Sequence, residues 1–555
     1  MTSPARPDPN HRPLRFALIT SGDTIAAWHE EALRRLPASL ASVVVRVDVL
    51  PAANDPAPAR PAGALRGRVA DLYRRHRLHR AGRTLEQRPL DEFLDEVPVT
   101  RDVLVDRDPH RPALPSSLIE HIDKYECDFA VNMTGMTLDG LPPSVTRYGL
   151  WSYRVTTAGV ARARHRWVST SAPRLLEVSL VRVADDPERD TMLQRGWIHS
   201  VPHSFAATTD APHRATVEWL ARTCREIVLL GRLPKDDAPA RGSTPLRDTD
   251  IVRALAGAPL RWLRRLVVAP VRQEEWHVGI VDRPLEEVFR SQDIGRPRWL
   301  RNPSPRYYAA DPFGIADSET VLVEAYDYVR RTGHIAALHI ADDSDRPAAT
   351  PVLRADSHMS YPYLFEWDGE TYCVPETCGQ RRATLYRAVR FPDTWESVTV
   401  LVEDLAVTDP TIVRHDGMWW LFCTDDDLGS ESNLHVYHAA ELPGPWRPHA
   451  LNPVKIDIHS ARPAGTPVVI DGKLIRPAQD GSNGYGSAVV FNEIDSLTTE
   501  SFSEHPVRRL EPDAGGRYRY GLHTVSAWGN RTLVDGKRRG LLMMNLLGRA
   551  RSLVR

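Results

Sequence analysis

The stretch IVRHDGMWWLFCTD, residues 412–425, decides the fold of the second half of this chain. It consists of two runs rich in β-branched and aromatic residues, joined by Asp416 and Gly417. Asp-Gly between two such runs is a strong hairpin signal, because the turn needs positive φ angles that glycine supplies. Two more stretches share the pattern, LFEWDGETYCVPE at residues 364–376 and VVIDGKLIRPAQD at residues 468–480. The chain therefore repeats a strand–turn–strand unit.

The spacing of these hairpins predicts a β-propeller. The turn residues Asp368, Asp416 and Asp471 are 48 and 55 residues apart, which is typical of propeller blades of about 40–50 residues. Dividing the region from about Pro303 to Gly540 by this period gives about five blades. A degenerate copy, TVSAWGNRTLVDGKRRG at residues 524–540, is predicted to supply the fifth hairpin.

The first strand of each blade faces the axis of a propeller, so equivalent positions in successive blades are expected to line one axial pocket. Aligning the hairpins at their Asp-Gly turns superposes these inner-strand residues: Tyr361, Asp409 and Ala464, with Asp311 from the first blade. On the returning strands the aligned residues are Glu376, Thr424 and Gln479, and His523 begins the fifth blade.

Asp311, Asp409 and Glu376 are therefore the candidate catalytic residues. Two Asp and one Glu in one pocket suit acid–base chemistry on a glycosidic bond, where one carboxylate stays ionised and another stays protonated to donate to the leaving oxygen. Simpler interpretations remain open. Asp-Pro at a strand start is often a turn or a backbone cap, and Glu376 could end its strand at the solvent.

Polar side chains near the same copies are candidate ligand contacts. They could hydrogen-bond sugar hydroxyls or an anionic group, and they are His358, Tyr361, Arg462, Gln479, Asp480 and His523. Trp419 and Trp420 are predicted to pack in the core, with stacking on a sugar ring as the alternative.

The first half of the chain has a different periodicity. Between about Arg15 and Gly231, short apolar runs alternate with helix-like segments, which favours an open, mostly parallel sheet with helices on both faces. We predict a Rossmann-type domain over residues 1–235, a linker and helix over 236–275, and the propeller over 276–555. Within the first domain, residues 51–65 are predicted to be a loop and residues 65–86 a basic helix.

Composition excludes several classes of protein. The 555 residues carry 71 Lys and Arg against 72 Asp and Glu, a net charge of −1, so no general field attracts nucleic acid. Five scattered cysteines without a C-x2-C pair predict neither a disulfide scaffold nor a metal site. No apolar run of about 18 residues is present to span a bilayer, and no signal-peptide pattern begins the sequence. We expect a cytoplasmic protein without cofactor or metal, whose partner is a sugar-containing small molecule or glycoconjugate rather than a nucleic acid; the oligomeric state is not predicted.

The motifs ADPF, SYPYLFEWDG, VPET, DPTIVRHDGMWWLF, RPAGT, RPAQD and GLHTVSA together resemble the five-bladed glycoside hydrolases that include arabinanases and β-xylosidases. The sequences of these motifs are similar to those in the propeller-like region of glucosamine inositolphosphorylceramide transferases. The hydrolase resemblance implies an Asp base from the first blade, matched by Asp311, and a pKa-tuning Asp from the third, matched by Asp409. It also implies a Glu acid from the fourth blade, where this chain has Arg462-Pro463-Ala464 instead. Glu376 or Asp480 would then have to serve as the acid.

The first half resembles, more weakly, the folate-dependent formyltransferases. CDFAVNMTGM followed by RYGLWSYR stands where that family has a strand, a loop and a Gly-x-x-Asn-x-His strand. Gly149 is kept, but Ser152 replaces the Asn and Arg154 the His. Formyl transfer needs groups that orient the formyl oxygen and carry the amine proton. The resemblance therefore implies a formyltransferase-like open sheet that has lost its chemistry.

Together these features predict a multidomain α/β plus all-β protein. Its expected function is that of a carbohydrate-active enzyme that cleaves or transfers a glycosyl group in the propeller, with Asp311 as base or nucleophile, Asp409 tuning pKa and Glu376 as acid. One alternative is a glycan- or glycolipid-binding propeller without catalysis. The other is a group transferase in the first half that acts on an amino sugar or small metabolite.

Overall fold

The computed structural model describes residues 12–50, 83–104, 112–157, 175–234, 272–340 and 345–541, apart from positions 91, 93, 95, 185, 187, 188 and 202–204. The chain divides into two compact units, residues 1–258 and 259–555. The predicted loop at 51–65, the predicted linker and the predicted helix before residue 272 lie outside the described residues. So does the predicted basic helix, apart from its last residues, where Arg83–Leu85 form a single 3-10 turn.

In the described part of the first unit, seven strands form one mixed sheet in the order β5-β3-β1-β6-β7-β8-β9, and β2 pairs with β4 separately. The strands are β1 (Leu14–Thr20), β2 (Thr24–Ala26), β3 (Ala41–Leu50), β4 (Gln87–Pro89), β5 (Val99–Val103), β6 (Phe129–Asn132), β7 (Leu150–Thr157), β8 (Leu175–Val183) and β9 (Thr191–His199). The helices are α1 (Ala27–Arg34), α2 (Ser116–Lys124), α3 (Phe205–Thr216) and α4 (Trp219–Leu230).

The predicted parallel sheet is confirmed for its first five strands. β1 pairs in parallel with β3 and β6, β3 with β5, and β6 with β7, whereas β8 and β9 are added antiparallel. The central strand β1 is buried at six of its seven positions, as expected for an apolar run covered on both faces. Each helix among the described residues is too short or too polar to cross a bilayer.

In the described part of the second unit, five antiparallel sheets form the five blades of a propeller. Blade 1 comprises β12 (Tyr307–Gly314), β13 (Thr320–Asp327), β14 (Thr332–His339) and β15 (Ala349–Leu353). Blade 2 comprises β16 (Ser360–Trp367), β17 (Glu370–Glu376), β18 (Arg382–Arg390) and β19 (Thr394–Glu403). Blade 3 comprises β20 (Val407–His415), β21 (Met418–Asp425), β22 (Asn433–Ala439) and β23 (Arg447–Pro448), with β24 (Lys455–Ile456) added beside β22. Blade 4 comprises β25 (Val468–Ile470), β26 (Lys473–Asp480), β27 (Ala488–Leu497) and β28 (Phe502–Leu510).

Blade 5 closes the ring with strands from both ends of the unit. Its inner strands are β29 (Val525–Trp528) and β30 (Arg531–Leu541), and its outer strands are β10 (Arg272–Val281) and β11 (Arg298–Trp299). The helix α5 (Leu285–Ser291) connects β10 to β11. Ten residue pairs join β10 to β30, so the first described strand of the unit satisfies the backbone groups of the last described one.

The predicted Asp-Gly turns are confirmed. Asp416 and Gly417 have φ angles of 48° and 78°, and the other two turns have nearly the same pairs of values. Positive φ at both central residues is the type I′ geometry that matches the twist of a hairpin. The degenerate fifth copy also forms a hairpin, but its turn falls between Trp528 and Arg531.

A β-bulge interrupts the inner strand in each of blades 1, 2 and 3. The bulges fall at Asp311-Pro312, Tyr361-Pro362 and Asp409-Pro410, and Asp311, Tyr361 and Asp409 have φ angles of 49°, 45° and 48°. Proline fits a bulge because it has no N–H to give to the ladder. Bulges re-aim side chains and are frequent beside active sites, so the alignment made from the sequence identifies a real structural equivalence.

Candidate active site in the propeller

Five carboxyl groups lie close together on the inner strands of the propeller, and we call them the carboxylate cluster. Asp311 and Asp409 occupy the bulges of blades 1 and 3, Glu324 lies on β13, Glu376 ends β17, and Asp535 lies within β30. All five are buried. Burial raises the pKa of Glu324 well above its usual range, and the negative charges of the other four members raise it further.

Asp409 is held by donors from blade 4. Arg462 donates to its carboxylate from Nε at 2.6 Å and from Nη2 at 3.3 Å, and Gln479 Nε2 donates to Oδ2 at 2.8 Å. These hydrogen bonds fix the position of the carboxylate. The backbone N–H of Asp409 in turn donates to Glu376 Oε2 at 3.2 Å.

Glu376 is positioned to remain protonated. Burial and the negative charge of Asp409 raise its pKa well above the ordinary glutamate value, whereas Arg462, with Nη2 3.9 Å from Oε2, opposes this. The alternative in which Glu376 ends its strand at the solvent is wrong, because the side chain is buried among the blades. When the surroundings of two neighbouring carboxyl groups push their pKa values apart, the group that stays protonated can act as the acid.

Asp311 is the member whose charge changes near neutral pH. Burial raises its pKa to about 6, with Asp409 and Asp535 contributing in the same direction and His523 opposing them. Thr524 Oγ1 donates to Asp311 Oδ1 at 2.6 Å. Asp311 is therefore ionised at neutral pH yet close enough to its pKa to accept a proton.

His523 lies between two carboxylates of the cluster. Its Nδ1 is 2.6 Å from Asp535 Oδ2 and its Nε2 is 3.6 Å from Asp311 Oδ1, while its ring stacks on Trp276 at 3.9 Å. Burial alone would lower the pKa of His523, but the two negative charges raise it. Asp311, His523 and Asp535 place ligand atoms within 4.8 Å of one another, a donor set that could hold a metal ion although the sequence predicted none.

Some of the residues predicted to contact a ligand lie at the carboxylate cluster, whereas others bond to different parts of the protein. Arg462, Gln479 and His523 contact its members directly, as described above. His358 is half-buried beside Glu324, with Nε2 3.5 Å from Oε1, and its Nδ1 accepts a hydrogen bond from the Gly333 N–H at 2.8 Å.

Tyr361 and Asp480 were predicted to contact the ligand, and the structure corrects both predictions. The Tyr361 side chain is fully buried, and its hydroxyl accepts from the Gly465 N–H at 2.7 Å and contacts Thr411 Oγ1 at 2.9 Å. Asp480 pairs with Arg509 and accepts from the Ser482 N–H. Adjacent strand residues point to opposite faces, so Asp480 cannot share the position of Gln479 beside Asp409. Neither residue is therefore placed to bind a sugar, and Asp480 is not placed to act as the acid.

Sequence alignment missed three carboxyl groups of the site. Asp535 belongs to the VDG motif of the degenerate fifth copy and could have been found there. Glu324 pairs with Ala310 as Glu376 pairs with Ser360, so it is the blade 1 equivalent of Glu376 and could have been found by extending the alignment to the second strand of blade 1. Glu431 falls outside every aligned position. Glu431 follows Ser430, whose carbonyl accepts from Arg462 Nη1 at 3.0 Å. The buried Oε2 of Glu431 has no hydrogen-bond partner among the described residues. Burial raises its pKa against the opposing charges of Arg462 and Lys537.

Aromatic rings surround the positively charged side of the site. The half-buried Tyr485 ring lies 5.3 Å from Arg462 Cζ and 5.4 Å from the His523 ring. Lys537 Nζ lies 5.0 Å from the Trp276 ring and donates to the Tyr485 carbonyl at 2.6 Å. An aromatic face beside polar donors and carboxylates is a surface suited to a polar, ring-shaped ligand.

In the first unit, the residues at the formyltransferase-like positions are engaged within the protein. Arg154 Nη2 donates to the buried Asp190 at 2.5 Å, and Ser152 Oγ accepts from Asn132 Nδ2 at 3.5 Å. An arginine fixed in an ion pair is poorly suited to carry an amine proton. The formyltransferase resemblance stays a prediction.

The fold and site thus define a five-bladed propeller with a buried carboxylate cluster. Residues 300–522 match the family model described as glucosamine inositolphosphorylceramide transferase 1, N-terminal. The proteins of that name from Oryza sativa subsp. japonica and Arabidopsis thaliana are each 31% identical, over 211 and 208 residues. These matches cover 37% and 36% of this chain but 28% and 27% of the relatives.

Solved glycoside hydrolases also show similarity. A family 43 β-xylosidase/α-arabinofuranosidase from a compost microbial metagenome is 11% identical, with a TM-score of 0.30 over 44% of this chain and 94% of that one. A family 117 glycoside hydrolase from Zobellia galactanivorans is 11% identical, with a TM-score of 0.29 over 42% and 86%. The five-bladed architecture of this chain is shown by its own five antiparallel sheets.

Proposed function

We propose that this protein is a carbohydrate-active enzyme that cleaves or transfers a glycosyl group at the carboxylate cluster. The observation that carries the proposal is the convergence of Asp311, Glu376 and Asp409 from three different blades. Arg462 lies beside Asp409 and Glu376, and the negative charge of Asp409 acts on both Glu376 and Asp311. Carboxyl groups held in different protonation states are the requirement of glycosidic chemistry. The match of residues 300–522 to a glycosyltransferase-named family supports the same class of substrate.

Each group has a role that follows from its surroundings. Asp311, ionised above pH 6, accepts the proton of an attacking water or sugar hydroxyl, or attacks the anomeric carbon itself. Glu376, kept protonated, donates to the departing glycosidic oxygen. Asp409, fixed by Arg462 and Gln479, supplies the negative charge that keeps the proton on Glu376.

Substitution of the two reacting carboxyls tests this assignment. We expect Asp311→Asn and Glu376→Gln each to lower turnover by about a hundredfold or more. Asp393→Asn and Glu403→Gln, at exposed positions of blade 2, are matched controls that should retain activity. The substrates to be assayed first are glucosamine-containing glycoconjugates, because of the relatives' names. Aryl xylosides and arabinofuranosides follow. Full turnover by Asp311→Asn would contradict the proposal.

A second candidate is a glycan-binding propeller without catalysis. The observation that favours it is Arg462 itself, which stands where the hydrolase resemblance implies an acid and which neutralises Asp409. This function predicts that sugars bind without turnover and that Arg462→Lys and His523→Asn lose affinity. Product formation from any glycoside in the panel, absent in Asp311→Asn, would exclude it.

A further inference from the structure

A separate cavity of about 430 Å³ lies on blade 5, outside the carboxylate cluster. Its wall includes four arginines, Arg517, Arg519, Arg538 and Arg539, together with Tyr520 and Glu275. We call it the basic cavity. The chain as a whole is close to neutral, with a net charge of −1, so four guanidinium groups around one cavity are a local concentration of charge.

The single acidic side chain does not neutralise the basic cavity. Arg538 forms an ion pair with Glu275, with Nη2 2.6 Å and Nε 2.7 Å from Oε2. Arg517, Arg519 and Arg539 have no acidic partner among the described residues. Three like charges at one cavity repel one another, and an anion bound among them would offset that repulsion.

Three of the four arginines are anchored by regular structure. Arg538 and Arg539 lie on β30, opposite Glu275 and Glu274 of β10, and Arg519 forms a parallel bridge to the same strand. The Tyr520 ring orders two of them, since Arg539 Cζ lies 4.4 Å and Arg519 Cζ 5.2 Å from its centroid. Arg519 Nη2 also donates to the Tyr520 hydroxyl at 3.2 Å. Donors fixed in this way lose less entropy when they bind an anion.

We propose that the basic cavity binds the phosphate group of a phosphate ester, either a soluble one or a lipid headgroup. Arginine pairs with phosphate through two parallel N–H donors, and a phosphate offers oxygens to several arginines at once. A carboxylate ligand would leave most of the positive charge uncompensated. The proposal is independent of glycosyl transfer, because none of its residues belongs to the carboxylate cluster.

Calorimetric titration of the full chain tests the proposal with inorganic phosphate and glycerol 3-phosphate as probes. We expect both to bind, and Arg517→Gln and Arg539→Gln each to weaken binding by about tenfold. Arg390→Gln, an exposed arginine of blade 2, is the matched control and should bind as the unsubstituted protein does. Equal binding by all variants would overturn the proposal, as would no binding by the unsubstituted protein either to these probes or to the anionic vesicles described next.

Cosedimentation with phosphatidylcholine vesicles, with and without phosphatidylglycerol, separates the two sources of phosphate. Binding to the anionic vesicles that Arg539→Gln weakens assigns a lipid headgroup. Binding of the soluble probes alone assigns a soluble ester. Vesicle binding that Arg517→Gln and Arg539→Gln leave unchanged, without any binding of the soluble probes, would overturn the proposal. Arg517 is exposed, so its substitution keeps the test valid should Arg539→Gln fail to fold.

Discussion

Buried charge dominates this protein at the scale of single residues. Five carboxyl groups share one region with Arg462 and His523, and these two cations come from blades 4 and 5. Since an uncompensated buried charge is costly, some of the carboxyl groups must stay protonated. Glu324 and Glu376 are those whose pKa values burial raises most strongly, whereas Asp409 has the strongest donors.

The pKa of Asp311 predicts the pH dependence of activity. If ionised Asp311 is the base, kcat/KM should rise with pH through about 6 and level above it. The free energy of unfolding should change with pH in the opposite direction. The folded protein binds the proton more tightly than the unfolded chain, so stability falls as pH rises from about 4 to about 6.

Asp311→Asn should flatten the stability change between about pH 4 and pH 6, which urea denaturation at a series of pH values measures. Asp393→Asn serves as the control and should keep the slope. An activity profile without a step near pH 6 would show that Asp311 is not the group that titrates in the reaction.

Leaving-group dependence identifies the proton donor. If Glu376 donates the proton, Glu376→Gln should slow glycosides with poor leaving groups about a hundredfold, and aryl glycosides with acidic phenols much less. Glu431 is the competing donor, because its buried oxygen is unpartnered and its pKa is also raised. The same comparison with Glu431→Gln, by steady-state kinetics, decides between them. If only Glu431→Gln slows glycosides with poor leaving groups more than those with acidic phenols, Glu431 and not Glu376 is the proton donor.

Turns and bulges set the geometry at the scale of elements. The Asp-Gly turns fix the register of each hairpin, and a bulge on the inner strand then turns one side chain out of the alternating pattern. The same device serves different chemistry in different blades. In blades 1 and 3 it presents carboxylates, and in blade 2 it presents Tyr361, whose hydroxyl joins blades 3 and 4.

Gly417→Ala tests the turn geometry. An added Cβ would meet nothing within 4 Å, but the residue has a φ angle of 78°, so the cost is purely conformational. We expect a loss of about 1–2 kcal/mol in the free energy of unfolding. Gly515→Ala is the control, since its φ is not in the positive region and its Cβ would make an ordinary contact at 3.6 Å. Equal stability of the two variants in urea denaturation would contradict the type I′ assignment.

Closure of the ring operates at the scale of the whole propeller. The outer half of blade 5 comes from β10 and β11, at the opposite end of the unit from β30. Without them β30 would expose an unpaired edge, and the apolar groups that β10 buries, such as Trp276, Val278 and Ile280, would lose their partner.

Two fragments of the chain test this closure. Residues 259–555 should unfold in one cooperative transition, whereas residues 303–555, which lack both strands, should show no cooperative transition or should aggregate. Circular dichroism during denaturation measures the difference. Equal cooperativity of the two fragments would show that the ring closes without β10.

Local signals made much of this molecule predictable. Asp-Gly turns, their period and the Asp-Pro pairs identified the propeller and placed Asp311 and Asp409 in register, because turn geometry and strand alternation depend on residues close in sequence. Alternating apolar runs likewise identified the parallel part of the first sheet, but not the two antiparallel strands added at its edge.

Only the tertiary structure decided which side chains meet across blades. Glu431 joins the site from a position that no alignment marks, and Asp480 forms an ion pair with Arg509 instead. Such contacts depend on strand direction, burial and closure of the ring, which bring together residues more than 200 positions apart, as Thr524 and Asp311 are. The sequence by itself determined the repeat and two of its carboxylates, Asp311 and Asp409. The closed propeller determined the partners of both and the pKa of Asp311, because these depend on side chains that other blades supply.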